Sequence, residues 1–222
     1  MKIIARIRNA YDGKFGVPRQ SGLVEQVVST IVFEPEYRAA EALRGIEEFS
    51  HLWLIWAFDR AEREGWSPTV RPPRLGENQR VGVFATRSPY RPNAIGLSCV
   101  RLLGVEKNGE GSVLKVAGAD LMNGTPIYDI KPYLPYADCR PEATGGFTDR
   151  TEKRTVEVEI PEEAAKGMGK ETLEALKAVL EQDPRPAYQD DPERVYAFEF
   201  GGYNIRFRVA DRKLSVTEIQ RV

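Results

Sequence analysis

Apolar and polar positions alternate with a period of two along much of the chain, a period that predicts strands. Residues 2–8 alternate apolar and basic side chains, as a half-buried strand does. Residues 27–33 form a β-branched run that predicts a second strand. The longest apolar run, residues 51–58, is short and aromatic and predicts a buried strand over 52–58. Residues 81–85, 95–105, 112–117 and 126–131 predict four more strands, the second broken early by Gly96. Asn108-Gly109 marks a hairpin turn between two of them. Helical signals are few in this part: Pro35 opens a short predicted helix over 36–43, closed near Gly45, and residues 59–66 read as a polar connection. Many short strands with few helices predict a small, closed or nearly closed β-barrel.

The pattern changes near residue 140. Residues 134–151 are rich in Pro, Gly, Thr and Asp and read as a linker. Beyond them come a strand over 155–160 and one amphipathic helix, best from Lys170, with Leu173, Leu176 and Leu180 at helical spacing. Three alternating segments, 196–200, 203–209 and 214–219, predict a small antiparallel sheet. The chain is therefore mainly β: a small β-barrel domain over 1–137, a linker over 138–154, and a smaller α+β domain over 155–222.

Composition narrows the chemistry. At 222 residues, 41% hydrophobic and 29% charged, the sequence is that of an ordinary globular protein. No apolar run approaches bilayer length, and the first residues carry no signal-peptide core, so no membrane role is expected. Two cysteines fall short of a disulfide framework and point to a reducing cytoplasm. With one histidine and two cysteines no metal site is expected. His51, at the mouth of the apolar strand, reads as structural or substrate-positioning rather than as a catalytic base.

Formal net charge is −1, yet residues 68–101 carry six arginines against one acid, Glu77. Arginine forks match carboxylates and phosphates, and prolines hold such loops in place, so this stretch predicts an anion site. Residues 157–199 hold twelve acids against five bases, so bulk charge does not mark the C-terminal unit as an RNA binder. No glycine-rich loop stands between a strand and a helix, which argues against a Rossmann-type domain. Four polar loops, 14–20, 87–93, 119–126 and 129–133, lie at strand ends, and if the barrel closes several of them are expected to converge at one rim. They offer cations (Arg19, Arg87, Arg91), amides (Gln20, Asn93, Asn123), acids (Asp120, Asp129) and the flat faces of Phe15, Tyr90 and Tyr133. That set suits a ligand with an anionic end and a planar base.

The motifs K-F-G-V-P-R-Q, F-S-H-L-W, T-V-R-P-P-R-L-G-x-N, V-F-A-T-R-S-P-x-R-P-N-x-I-G-L-S, D-L-x-x-G-T-P and D-I-K-P-Y-x-P-Y-A-D occur in this order. In this the chain resembles the TrmO (TsaA-like) family of S-adenosylmethionine-dependent tRNA adenine-37 N6-methyltransferases. D-P-R-P-A-Y near the C-terminus resembles the longer bacterial members. The resemblance implies a non-Rossmann β-barrel methyltransferase, a homodimer, and S-adenosyl-L-methionine bound near the subunit interface. It also implies a tRNA substrate whose adenosine beside the anticodon already carries a threonylcarbamoyl group.

Carried over by position, the cofactor contacts fall on Pro18, Arg19, Gln20, Arg87 and Leu97, and on the loop Asp120, Asn123, Gly124, Thr125 and Pro126. A further contact falls on Asp59 and Arg60, where the family often has His and a polar residue. The exocyclic nitrogen belongs to a urea, so its proton must leave or the urea carbonyl must be polarised. Asp129 is the candidate proton acceptor, with Lys131 and Tyr133 stabilising the urea oxygen. Arg91, with Asn93 beside it, is assigned to the modified base and its threonine carboxylate, and Arg185 and Tyr188 to the anticodon stem-loop. Deleting 155–222 is expected to weaken tRNA binding and spare cofactor binding. The alternatives are an S-adenosylmethionine-binding RNA-binding or sensing module without turnover, and a methyltransferase acting on another substrate.

Overall fold

The structure is a computed structural model, and it describes residues 1–61, 65–72, 75, 79–151, 155–185 and 191–222. Strands β1 (Ala5–Arg8), β2 (Val28–Phe33) and β3 (His51–Ala57) are followed by a two-residue ladder of β4 (Thr69–Val70) with β5 (Val81–Gly82). Next come β6 (Ile95–Asn108), β7 (Gly111–Ala117), β8 (Pro126–Pro132) and the one-turn helix α1 (Pro135–Asp138). The C-terminal part holds β9 (Glu157–Glu159), helix α2 (Lys170–Glu181), β10 (Tyr196–Phe200), β11 (Tyr203–Ala210) and β12 (Lys213–Arg221).

Six strands pair in the order β1-β2-β7-β6-β3-β8, and the ring returns to β1. The closing seam is short: only Ala5 with Ile127 and Arg6 with Pro126 pair across it, whereas β3 and β6 share seven pairs. Alternation places Ala5, Ile7, Ile31, Leu52, Leu54, Trp56, Val100, Leu114, Val116 and Ile127 inside, where they form the barrel core. Gly96 does not break β6. It lies under the Trp56 indole, where a Cβ would collide with the ring. β6 instead bends at a bulge between Leu102 and Gly104, where Gly104 takes a positive φ of 153°.

Two expected elements take other forms. Residues 36–43 make no α-helix but a string of 3-10 turns, Pro35–Tyr37, Ala40–Leu43 and Ile46–Glu48. Ala39 and Arg44 are extended, and Arg38 Nε bonds the Phe33 carbonyl at 2.8 Å, which folds the segment back on the barrel. The segment's apolar contacts are Tyr37, Leu43 and Ile46 against the barrel core, too few for a helical stripe. The strand expected over 81–85 ends at Gly82, because its partner β4 is only two residues long. Val83–Ala85 then turns as a 3-10 helix. This ladder lies outside the barrel ring.

In the C-terminal unit α2 begins at Lys170 and buries Ala175, Leu176, Ala178, Val179 and Leu180 on a sheet of order β10-β11-β12-β9. That sheet is not wholly antiparallel, since β9 runs parallel to β12. Its core also contains Tyr11, Val24 and Val27 from the loop between β1 and β2. Phe15 of the same loop stacks near Tyr196 (6.3 Å), Phe198 (6.2 Å) and Phe207 (6.4 Å). Phe15 is thus a packing residue, not a face for a ligand base. Gly16 lies so close to the Phe198 ring that a Cβ would come within 2.5 Å of it. The Gly201 amide bonds the Ala10 carbonyl at 3.0 Å. The C-terminal core is therefore built partly from the β1–β2 loop, while the barrel keeps a core of its own, so removing 155–222 would strip that loop of its packing partners.

Candidate functional site

Three loops meet at one end of the barrel: the β1–β2 loop, residues 83–94, and residues 118–125. The first runs beside β6 where β7 has peeled away. Ser21 Oγ accepts the Cys99 amide at 3.2 Å, and the Gly22 amide bonds the Gly118 carbonyl at 2.8 Å. This brings Gln20 to Arg87, whose Nη1 donates to Gln20 Oε1. Asp120 closes the cluster by accepting the Ser98 hydroxyl at 2.5 Å, and Ser98 Oγ in turn accepts Trp56 Nε1 at 2.9 Å. Burial pushes the Asp120 carboxyl above the ordinary carboxylate range. The Ser98 bond, Arg87 and the Ser21 backbone amide oppose that shift. A half-buried acid and an exposed guanidinium thus face the same loop junction.

The sign for Asp120 is clear. Its folded pKa lies above the unfolded value, so ionising it costs stability as pH rises from the ordinary carboxylate range through the folded value. Asp120→Asn keeps an acceptor for Ser98 and removes the charge. It is expected to leave the melting temperature at neutral pH unchanged or raised, which thermal melts check.

Around the junction, most of the remaining loop residues are held by the protein itself. Arg19 Nη2 donates to the carbonyls of Asp183 (3.3 Å) and Arg185 (3.1 Å), and Pro18 is buried. Asn123 is fully engaged: Oδ1 accepts the Asn9 amide (3.3 Å) and Nδ2 donates to Asp12 (3.2 Å). Its backbone bonds Tyr11 (2.9 Å) and Arg60 Nη2 (3.1 Å). Gly124, at φ 83°, donates to the Ile7 carbonyl at 2.8 Å, while Thr125 and Pro126 are buried against β1. These four residues set the loop's shape. Asp59 is exposed beside Arg60.

The fourth expected loop is not at this rim. Asp129 and Lys131 lie within β8 and face outward, with Tyr133 just beyond the strand. The register makes a ladder across the outer surface: Leu97, Ile55 and Asp129 in one row, then Cys99, Trp53 and Lys131. With strands about 4.8 Å apart, Asp129 lies roughly 10 Å from Leu97 across Ile55. Lys131 Nζ pairs with Asp129 at 2.9 Å, and the Tyr133 ring stands 5.8 Å from Trp53 and 6.2 Å from His51. Burial, then Cys139, Cys99 and Asp138, push the Tyr133 hydroxyl up. Asp138 accepts the Leu134 amide (2.8 Å) and Trp53 Nε1 (2.9 Å), which hold its carboxyl below the usual range and tie α1 to the barrel.

Arg91 is half-buried, with Nη1 on the Thr86 carbonyl at 2.8 Å, and Asn93 is exposed. Arg185 makes a two-pronged pair with Asp183 at 2.9 and 3.0 Å, their side chains only 12% and 13% exposed. It therefore builds the loop that grips Arg19 and does not present a free cation to RNA. Tyr188, like Arg74, Glu77 and Asn78 of the arginine stretch, lies outside the described residues. Sequence reasoning missed Ser21, Ser98, Asp12 and Asp138, all short polar residues whose partners are distant in sequence. Ser98 ends the I-G-L-S motif, the one signal that marked it.

Three loops gathered at one end of a six-stranded barrel, with an α+β unit packed on one of them, define the architecture. A model of the tRNA-methyltransferase O N-terminal domain matches residues 6–139, and one of the TrmO C-terminal domain matches residues 153–222. The chain belongs to the TrmO family. It is 42% identical to the Escherichia coli tRNA (adenine(37)-N6)-methyltransferase over 98% of this chain and 96% of that one. An Eikenella corrodens protein of the same name is 44% identical over 72% of this chain and 91% of its own. A Pyrococcus abyssi relative, 41% identical over 60% of this chain and 67% of its own, is named a probable S-adenosyl-L-methionine-binding protein. A crystal structure of TrmO from Pseudomonas aeruginosa superposes with a TM-score of 0.79 at 33% identity, covering 99% of this chain and 95% of that one.

Proposed function

We propose that this chain is an S-adenosylmethionine-dependent tRNA (adenine(37)-N6)-methyltransferase, and that the adenosine it takes already carries a threonylcarbamoyl group. The relatives' names support the tRNA adenine as substrate. The observation that carries the site is the meeting of Arg87, Gln20 and Asp120 beside the exposed Leu97. The donor set fits the cofactor: a guanidinium for its carboxylate, an acid for its ammonium or hydroxyl groups, and an apolar surface for its flat base. When bound, S-adenosylmethionine supplies an electrophilic methyl group.

Methyl transfer is an in-line displacement, so most of what the chain contributes is positioning. Arg87 and Asp120 fix one end, and the shared core holds the β1–β2 loop against them. On the outer ladder Asp129 accepts the proton of the substrate nitrogen, while Lys131 and Tyr133 stabilise charge on the urea oxygen. Arg91 meets the threonine carboxylate. Ile95 and Leu97, 36% and 56% exposed, support an interface with a second copy beside this site.

Asp129→Asn is expected to lower kcat by about 10²- to 10⁴-fold with S-adenosylmethionine affinity unchanged. Full turnover at saturating cofactor and tRNA would remove Asp129 as the proton acceptor. Arg91→Ala is expected to lose discrimination against tRNA lacking the threonylcarbamoyl group, checked by parallel rates on the two tRNAs. Mass spectrometry of nucleosides from a deletion strain tests the whole reading. The methylated threonylcarbamoyl nucleoside should disappear, and its persistence would favour a binding module or another substrate.

A further inference from the structure

The β4–β5 ladder lies outside the barrel ring, and it displays two large aromatic side chains to solvent. Trp66 is 54% exposed and Phe84 72% exposed, and their ring centroids are 6.1 Å apart at an interplanar angle of 31°. Two large rings exposed side by side form the kind of contiguous apolar patch that marks an interaction site.

The display is built, not frayed. The Val83 amide bonds the Pro68 carbonyl at 2.9 Å, closing the base of the ladder, and Val83 itself is buried at 1%. Burying Val83 turns the next residue of the 3-10 turn, Phe84, outward. Arg80 Nε bonds Thr69 Oγ1 at 2.8 Å and its Nη2 bonds the Thr69 carbonyl at 3.2 Å, bracing the two strands. The Arg91 guanidinium, anchored on Thr86, stands 5.9 Å over the Phe84 ring.

Charge says what covers these rings. Residues 66–91 hold five arginines against one acid in a chain of formal net charge −1. A subunit or protein partner would need an acidic patch to match. A single-stranded nucleic acid brings both flat bases and phosphates in one strand, the pairing for which aromatic faces set among cations are suited. We infer that Trp66 and Phe84, with Arg91 stacked at their edge, form a platform on which unpaired bases of the anticodon loop stack while the modified adenosine reaches the cofactor loops. The inference rests on the tRNA reading above. Arg87 joins the two, since it follows Phe84 by three residues and bonds Gln20.

The test uses the full-length protein and a synthetic anticodon stem-loop RNA, with affinity read by fluorescence anisotropy. Phe84→Ala and Trp66→Ala are each expected to weaken RNA binding, roughly 5- to 150-fold for each stacked base lost. S-adenosylmethionine affinity should be unchanged, and Phe84→Tyr and Trp66→Phe should bind RNA within about threefold of wild type, because a ring remains. RNA affinity within twofold of wild type for both alanine variants would overturn the platform, even if the wild type methylates tRNA. A shift of the alanine variants to a smaller sedimenting species would overturn it too, marking the rings as a subunit interface. A wild type that neither binds nor methylates tRNA would fail the parent reading, and the platform with it.

Discussion

Phe207→Ala is expected to lower stability by about 3–5 kcal/mol and to weaken S-adenosylmethionine binding as well, although Phe207 is nearly two hundred residues from the proposed cofactor loop in sequence. Phe207 is fully buried at the centre of the C-terminal core, with Tyr196 at 5.5 Å, Phe198 at 6.1 Å and Phe15 at 6.4 Å between ring centroids. Three other members of that core, Tyr11, Val24 and Val27, also come from the β1–β2 loop. A cavity there loosens both walls, and one of them carries Pro18, Arg19 and Gln20. Urea unfolding gives the first effect, and calorimetric titration where the variant remains folded gives the second. A destabilised variant that binds cofactor like the wild type would show that the loop keeps its shape without the C-terminal core.

Arg87→Ala should weaken S-adenosylmethionine binding by about 1.5–3 kcal/mol, roughly 10- to 150-fold in Kd, with little change in melting temperature. The side chain is exposed, so its removal opens no cavity. What is lost is the donor to Gln20 and the cation that faces the Asp120 carboxyl. Arg87→Lys should recover only part of the affinity, since an ammonium keeps the charge and loses the planar fork. Equal affinity for Arg87→Ala and wild type would remove the arginine from the cofactor site.

Much of this was legible in the chain because strands with one buried face write their register as alternation. β6 shows it plainly: Leu97 and Cys99 face out while Ser98 and Val100 face in. The helix α2 was legible for the same reason at a period of 3.6. The residues 36–43 misled because a proline and good helix formers describe local preference, whereas Tyr37, Leu43 and Ile46 had to reach the barrel. Arg19, Arg87 and Asp120 stand in legible motifs, but no local signal shows that Arg19 is gripped by carbonyls at Asp183 and Arg185. The same blindness applies to Phe15, whose place in a polar loop at a strand end suggested a ligand face and whose partners lie about 180 residues on. Arg185 stands in the stiff polar loop D-P-R-P-A-Y assigned to the anticodon stem-loop, and its pairing with Asp183 is a contact two residues away that spacing alone does not reveal.

The most direct measurement combines the purified chain, S-adenosylmethionine, and one tRNA prepared with and without the threonylcarbamoyl group on adenosine 37. Nucleosides from each reaction are then resolved by mass spectrometry. The predicted result is one added methyl on the threonylcarbamoyl adenosine and none, or far less, on the unmodified adenosine. Equal methylation of both, or of neither, would contradict the proposed substrate.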